Sequence, residues 1–120
     1  MKMAELLGVL FLARDVTDSV HLNTRSYAKH IALQEFYEGI IPLADALAEA
    51  YQGRHGLVGP IAIQGAKKAT NVVEFLKTQL TEIEAARYAA LDKTDTAIQN
   101  IVDEIVALYL STLYKLNFLT

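Results

Sequence analysis

Apolar residues recur at three- and four-residue steps through four stretches of this chain, the period of amphipathic helices. The first runs from residue 3 to about residue 22, where Leu6, Leu7, Leu10, Ala13, Val16 and Val20 share a face and Arg14, Asp15, Asp18 and Ser19 lie opposite. A polar break from Asn23 follows, with Ser26 as the expected N-cap of a second helix that runs to Tyr51 and folds back on the first. Gly53, Gly56, Gly59 and Pro60 crowd the segment Gln52–Gly65 and predict a loop rather than a helix there. A third helix is expected from about Thr70 to Leu91, and a fourth from an Asp95 or Thr94 cap to about Leu116. The pattern gives one all-α domain over residues 1–120, an up-down four-helix bundle whose crossover joins helices two and three.

The second helix carries the candidate chemistry. At about 100° per residue, and with His30 as zero, Gln34 lies near 40°, Asp45 near 60°, Glu38 near 80° and Glu49 near 100°. These groups form one stripe along the helix. His30 and Asp45 are nevertheless about 22 Å apart along the axis, too far to share an ion within one chain. Two copies packed antiparallel about a dyad near Glu38–Ile41 would set His30 and Gln34 of one opposite Asp45 and Glu49 of the other, twice over. Pro42 interrupts this helix, and the apolar stripe continues in phase through it, so a bend is expected rather than a break.

Composition sharpens the expectation. Hydrophobic residues make up 52% of 120. That is a high share for a small monomer and points to buried subunit interfaces. The formal net charge of −3, with no run of Lys or Arg, argues against DNA binding through the body of the protein. There is no cysteine, so thiolate metal sites and disulfides are excluded. The apolar run Leu6–Ala13 is short, Glu5 precedes it and no small-residue cleavage site follows closely. It is not read as a signal peptide. No apolar run approaches a membrane span, and the protein is expected to be cytoplasmic.

The stretch His21–Glu49 resembles the second-helix region of the Dps-type mini-ferritins (DNA-binding proteins from starved cells). The match is His30, Phe36, Asp45 and Ala48-Glu49 in a His-x14-Asp-x3-Glu pattern, preceded by HLNTR from His21. The resemblance implies a ferritin-like fold. It also implies an iron site at a two-fold interface, with His21 and His30 from one subunit and Asp45 and Glu49 from its partner. Gln34 stands where that family usually has Asp, the two His are closer in sequence than the family spaces them, and Trp is absent. Gln34 and Glu38 are additional candidate ligands. His55, in the glycine-rich loop, is expected to be solvated.

Two imidazoles and two carboxylates suit iron(II), with zinc or manganese as possible alternatives. The function implied is oxidation of Fe(II) at the dimer interface and storage of ferric mineral in a homo-oligomeric shell, usually of twelve subunits. The alternatives are an inactive ferritin-like bundle serving as a structural or assembly subunit, of a kind a phage would encode, and a helical module that binds a partner.

Overall fold

The computed structural model describes residues 1–65, 68 and 71–120. Four helices appear, α1 (Met3–Asn23), α2 (Tyr27–His55), α3 (Val72–Ala89) and α4 (Thr96–Phe118), and no strand among the described residues. Each start has a local cause. The Glu5 carboxylate accepts from the Lys2 backbone N–H at the head of α1, where an acid also favours the helix dipole. Ser26 Oγ accepts from the Lys29 N–H at 3.2 Å, as expected of an N-cap. Asn71 does the same for Glu74, so α3 begins at Val72; the expected start at Thr70 lies outside the described residues. Asp95 caps α4 by position, but its carboxylate is turned to Arg54 at 2.8 Å.

Two expectations about α2 meet the structure differently. The helix is continuous through Pro42, which sits on the solvent face. The carbonyl that proline leaves without a donor is that of Glu38, also exposed, where water can satisfy it. The expected loop Gln52–Gly65 needs correction, because Gln52–His55 continues the helix. Gly53 only weakens a helix, and Arg54 and His55 in the last turn favour the dipole. The stop is Gly56, at φ +90°, a conformation open to glycine at little cost.

The helices form a square in which α1 packs on α2 and α3, and α4 packs on α2 and α3. Side-chain contacts fix the directions. Arg54 meets Asp95 at one end, and Lys115 meets Glu35 towards the other, so α2 and α4 are antiparallel. Arg87 reaches Gln99 and Asp103 while Gln79 reaches Tyr109, so α3 and α4 are antiparallel too. It follows that α2 and α3, on one diagonal, run the same way. The chain between His55 and Val72 must therefore return along a body 44 Å long. Extended backbone covers that distance at about 3.3 Å per residue, whereas a helix of the same residues would fall well short. The described part of this crossover, Gly56–Gly65, has no regular secondary structure. It passes close over α1 at Gly8, where an added Cβ would lie 3.0 Å from the Ala62 carbonyl oxygen.

The core lies between the four helices and is mostly aliphatic, with Phe36 and Tyr109 packed edge to face, centroids 4.9 Å apart. Tyr109 and Gln79 carry polar atoms into its centre. Tyr109 OH donates to Gln79 Oε1 at 2.7 Å, and Gln79 Nε2 donates to the Val9 carbonyl at 3.0 Å, which ties α4, α3 and α1 together. No helix is long and apolar enough to cross a membrane among the described residues.

Candidate functional site

The turn between α1 and α2 is short, and it brings the last turn of one helix against the first turn of the next. Thr24 Oγ1 accepts from the Ser26 N–H and Ser26 Oγ from Lys29, which fixes the turn's shape. His21 and His30 then face one another. Each bonds the other's backbone through Nδ1: His21 to the His30 carbonyl at 2.8 Å, and His30 to the His21 carbonyl at 2.9 Å. A carbonyl oxygen only accepts, so both Nδ1 atoms carry protons. In the neutral rings each Nε2 keeps a free lone pair. The rings stack with centroids 3.7 Å apart and planes inclined by 22°. Tyr37, two helical turns beyond His30, packs its edge against His21 at 5.2 Å. Burial raises the Tyr37 phenol above its ordinary value, and the Asp18 and Glu38 charges push the same way against Arg14.

The other candidates stand apart. Asp45 and Glu49 are exposed on the same helix and have no hydrogen bond or ion pair among the described residues. The continuous helix keeps Asp45 about 22 Å from His30 along its axis. Gln34 Nε2 donates to Glu38 Oε1 at 3.1 Å, so these two engage each other on the outer face. Within one chain, no group of three or more His, Asp or Glu side chains that could hold a metal ion forms among the described residues. The structure brings His21 and His30 together and leaves the carboxylates a long way along α2. His55, expected in a loop, is an exposed residue of the last turn of α2 with its ring tilted over Tyr51 at 4.7 Å.

The imidazole pair fits a metal in one respect. A ligating histidine ordinarily donates its second ring nitrogen to a carbonyl or carboxylate, which fixes the tautomer, and both rings here are held that way. They do not fit a single shared ion. A metal lies in the plane of each imidazole that binds it, about 2 Å from the nitrogen. Planes inclined by 22° with centroids 3.7 Å apart meet only about 9 Å away, far outside that bond length. His30 is half-buried and His21 is 6% exposed.

Sequence periodicity missed the buried polar groups of α3 and α4. Gln79 is buried beside Leu76 and Ile83, and Gln99 beside Ile98 and Val102. Arg87 donates to the Gln99 side chain and carbonyl and to Asp103, and Gln99 donates back to the Arg87 carbonyl. The available signal was a polar residue standing in phase with the apolar face, since a buried amide must find partners.

Comparison with known proteins adds a lineage. The chain is 27% identical over 117 residues to a protein of Enterobacteria phage T4 described as an uncharacterized 14.6 kDa protein in the mobD-ri intergenic region, an alignment covering 97% of this chain and 88% of that one. No solved structure matches. Residues 21–116 match the model of a family of unknown function, DUF5856. That span starts at His21 and takes in both imidazoles, both carboxylates and all of α2, α3 and most of α4, and the chain belongs to this family.

Proposed function

We propose that this protein is a ferritin-like bundle that binds iron(II) at a site completed by a second copy, in the manner the Dps-type resemblance implies. The single observation that carries the reading is the elbow between α1 and α2, which presents two imidazoles with Nδ1 spent on carbonyls and Nε2 free. Support also comes from the unbroken α2, which keeps Asp45 and Glu49 in the stripe expected of a two-fold partner's ligands. The diagonal placement of α2 and α3 joined by a long crossover agrees with a ferritin-like arrangement. Iron is the substrate, and zinc or manganese would suit the same donors. Because the stacked rings cannot share one ion, His21 and His30 serve separate ions, each completed by carboxylates of the partner copy. The oxidised product would be held as ferric mineral by a homo-oligomeric shell, with peroxide or oxygen taking the electrons.

A second reading has its own support. The His21–His30 bonds close the elbow without any metal, and Gln34 already occupies an oxygen of Glu38. These features suit a bundle that keeps the shape and serves as a structural or assembly subunit, and the similarity to a phage T4 chain favours a phage setting for it.

Light scattering on a sizing column, followed by elemental analysis after Fe(II) loading, separates the two. The iron reading expects an oligomer that retains iron and loses it in Asp45→Ala. That variant leaves the bundle intact, because Asp45 is exposed and bonded to nothing among the described residues. An oligomer without iron, or with iron that Asp45→Ala leaves in place, overturns the iron reading and leaves the structural one.

A further inference from the structure

Exposed large apolar side chains among the described residues stand singly on α1, α2, α3 and the crossover, and form a run only on α4. The outer face of α2 presents Glu38, Pro42, Asp45 and Glu49, which are exposed and mostly charged. On α4, by contrast, Leu110, Tyr114 and Phe118 recur every four residues and are 53%, 55% and 74% exposed. The Tyr114 and Phe118 rings pack side by side, centroids 5.9 Å apart. Leu119 is exposed at the same end.

We propose that this stripe is a homotypic interface, on which α4 of a second copy packs antiparallel about a dyad at Tyr114. Three observations select a second copy of the chain as the occupant. The stripe is symmetric about its centre, so an antiparallel copy sets Leu110 against Phe118 and Phe118 against Leu110, as a two-fold interface requires. Its own stretch of α4 carries almost no charge: between Ile105 and Thr120 the sole ionisable side chain besides the tyrosines is Lys115, and Glu35 neutralises it. No like charges of this stretch therefore meet across the dyad. The area is that of a weak dimer. At the exposures given, Leu110, Tyr114, Phe118 and Leu119 offer roughly 400 Å² per copy, about half of a standard partner surface of about 800 Å². Ala107, Ser111 and Asn117, all exposed around the stripe, extend the contact. The interface needs neither metal nor the α2 stripe, and it stands or falls separately from the iron site.

The chain has no cysteine, which makes the dyad directly testable. Tyr114→Cys places one thiol at the axis and its copy opposite, within reach of a disulfide. Leu110→Cys places the two thiols about 12 Å apart along the axis, beyond that reach. Mild oxidation of the full chain is expected to link Tyr114→Cys at least tenfold faster than Leu110→Cys, or than Tyr88→Cys on α3, whose tyrosine is 63% exposed. Light scattering of the metal-free protein is expected to show its mass halved by Phe118→Glu, with the circular dichroism unchanged, and unaltered by Asp45→Ala. A wild-type protein of one chain mass at all concentrations overturns the proposal. Linking of Tyr114→Cys no faster than the two controls overturns it as well.

Discussion

Tyr109→Phe removes one atom from the centre of the bundle, and its cost can be worked from what that atom touches. Tyr109 has no exposed surface and Gln79 is 4% exposed. The hydroxyl is the donor to Gln79 Oε1 at 2.7 Å. Phenylalanine keeps the ring and its edge contact with Phe36, so packing changes little. The amide oxygen of Gln79 is left buried without a donor, which costs about 1–3 kcal/mol. Taking the middle of that range, the melting temperature should fall by about 6–8 °C for a chain of this length. Gln79→Leu combined with Tyr109→Phe removes both partners. The Val9 carbonyl, inside α1, retains its place in the helix, so the double variant should be less destabilised than the sum of the singles by about 1–2 kcal/mol. Urea unfolding followed by circular dichroism, with a constant m value, measures all three. A Tyr109→Phe cost below about 0.5 kcal/mol, or an additive cycle, would refute the claim that this bond matters to the core. Burial, and secondarily the Glu82 charge, push the Tyr109 phenol well above its ordinary 10. The unfolded chain therefore loses this proton first as pH rises. The stabilisation is complete below about pH 10 and declines above it by up to about 1.4 kcal/mol per pH unit. Tyr109→Phe should lack that part of the alkaline decline.

Four further outcomes are expected. Gly53→Ala, with nothing within 4 Å of the new Cβ, should stabilise the end of α2 by about 0.5 kcal/mol. Gly8→Ala should forfeit a similar gain or destabilise, and should raise hydrogen exchange over residues 60–64, because its Cβ meets the Ala62 carbonyl. Arg87→Ala should cost about 2–3 kcal/mol in chemical unfolding, and Arg87→Lys should recover less than half, since the fork binds Gln99 and Asp103 together. Asp92 is held below its ordinary carboxylate value chiefly by the Thr94 hydroxyl and also by the Thr94 N–H. Its contribution is present above the unfolded value of 3.8 and is lost as pH falls through the lower folded value. Asp92→Asn should flatten the acid limb of the stability profile relative to wild type.

The four helices were legible because each buries a face with helical period, and the Ser26 cap because its hydroxyl has one obvious task. The end of α2 was not, since Gly53 looks the same in sequence whether it interrupts a helix or sits in its last turn; the positive φ of Gly56 decides it. At the elbow, sequence marked His21 and His30 as candidates but gave no sign that they would grip each other's carbonyls. That contact depends on the length of the turn and the approach of two helices. Gln79 and Gln99 were hidden for a related reason: their partners lie on other helices or in the connection between α3 and α4, and periodicity counts a buried amide as a defect until the partner is seen.

The crossover makes this molecule two helical hairpins on a tether. Each hairpin, α1 with α2 and α3 with α4, closes a short turn and can assemble from contacts close in sequence. What joins them is a shared seam: Val9 with Gln79, Phe36 with Tyr109, Arg54 with Asp95, and Glu35 with Lys115. A protease cut between Leu57 and Gly65 would break no helix. It would turn an intramolecular docking into a meeting of two fragments, so the tether contributes mainly local concentration. Nicked protein should hold together when concentrated and come apart on dilution, with each half carrying away one side of the core.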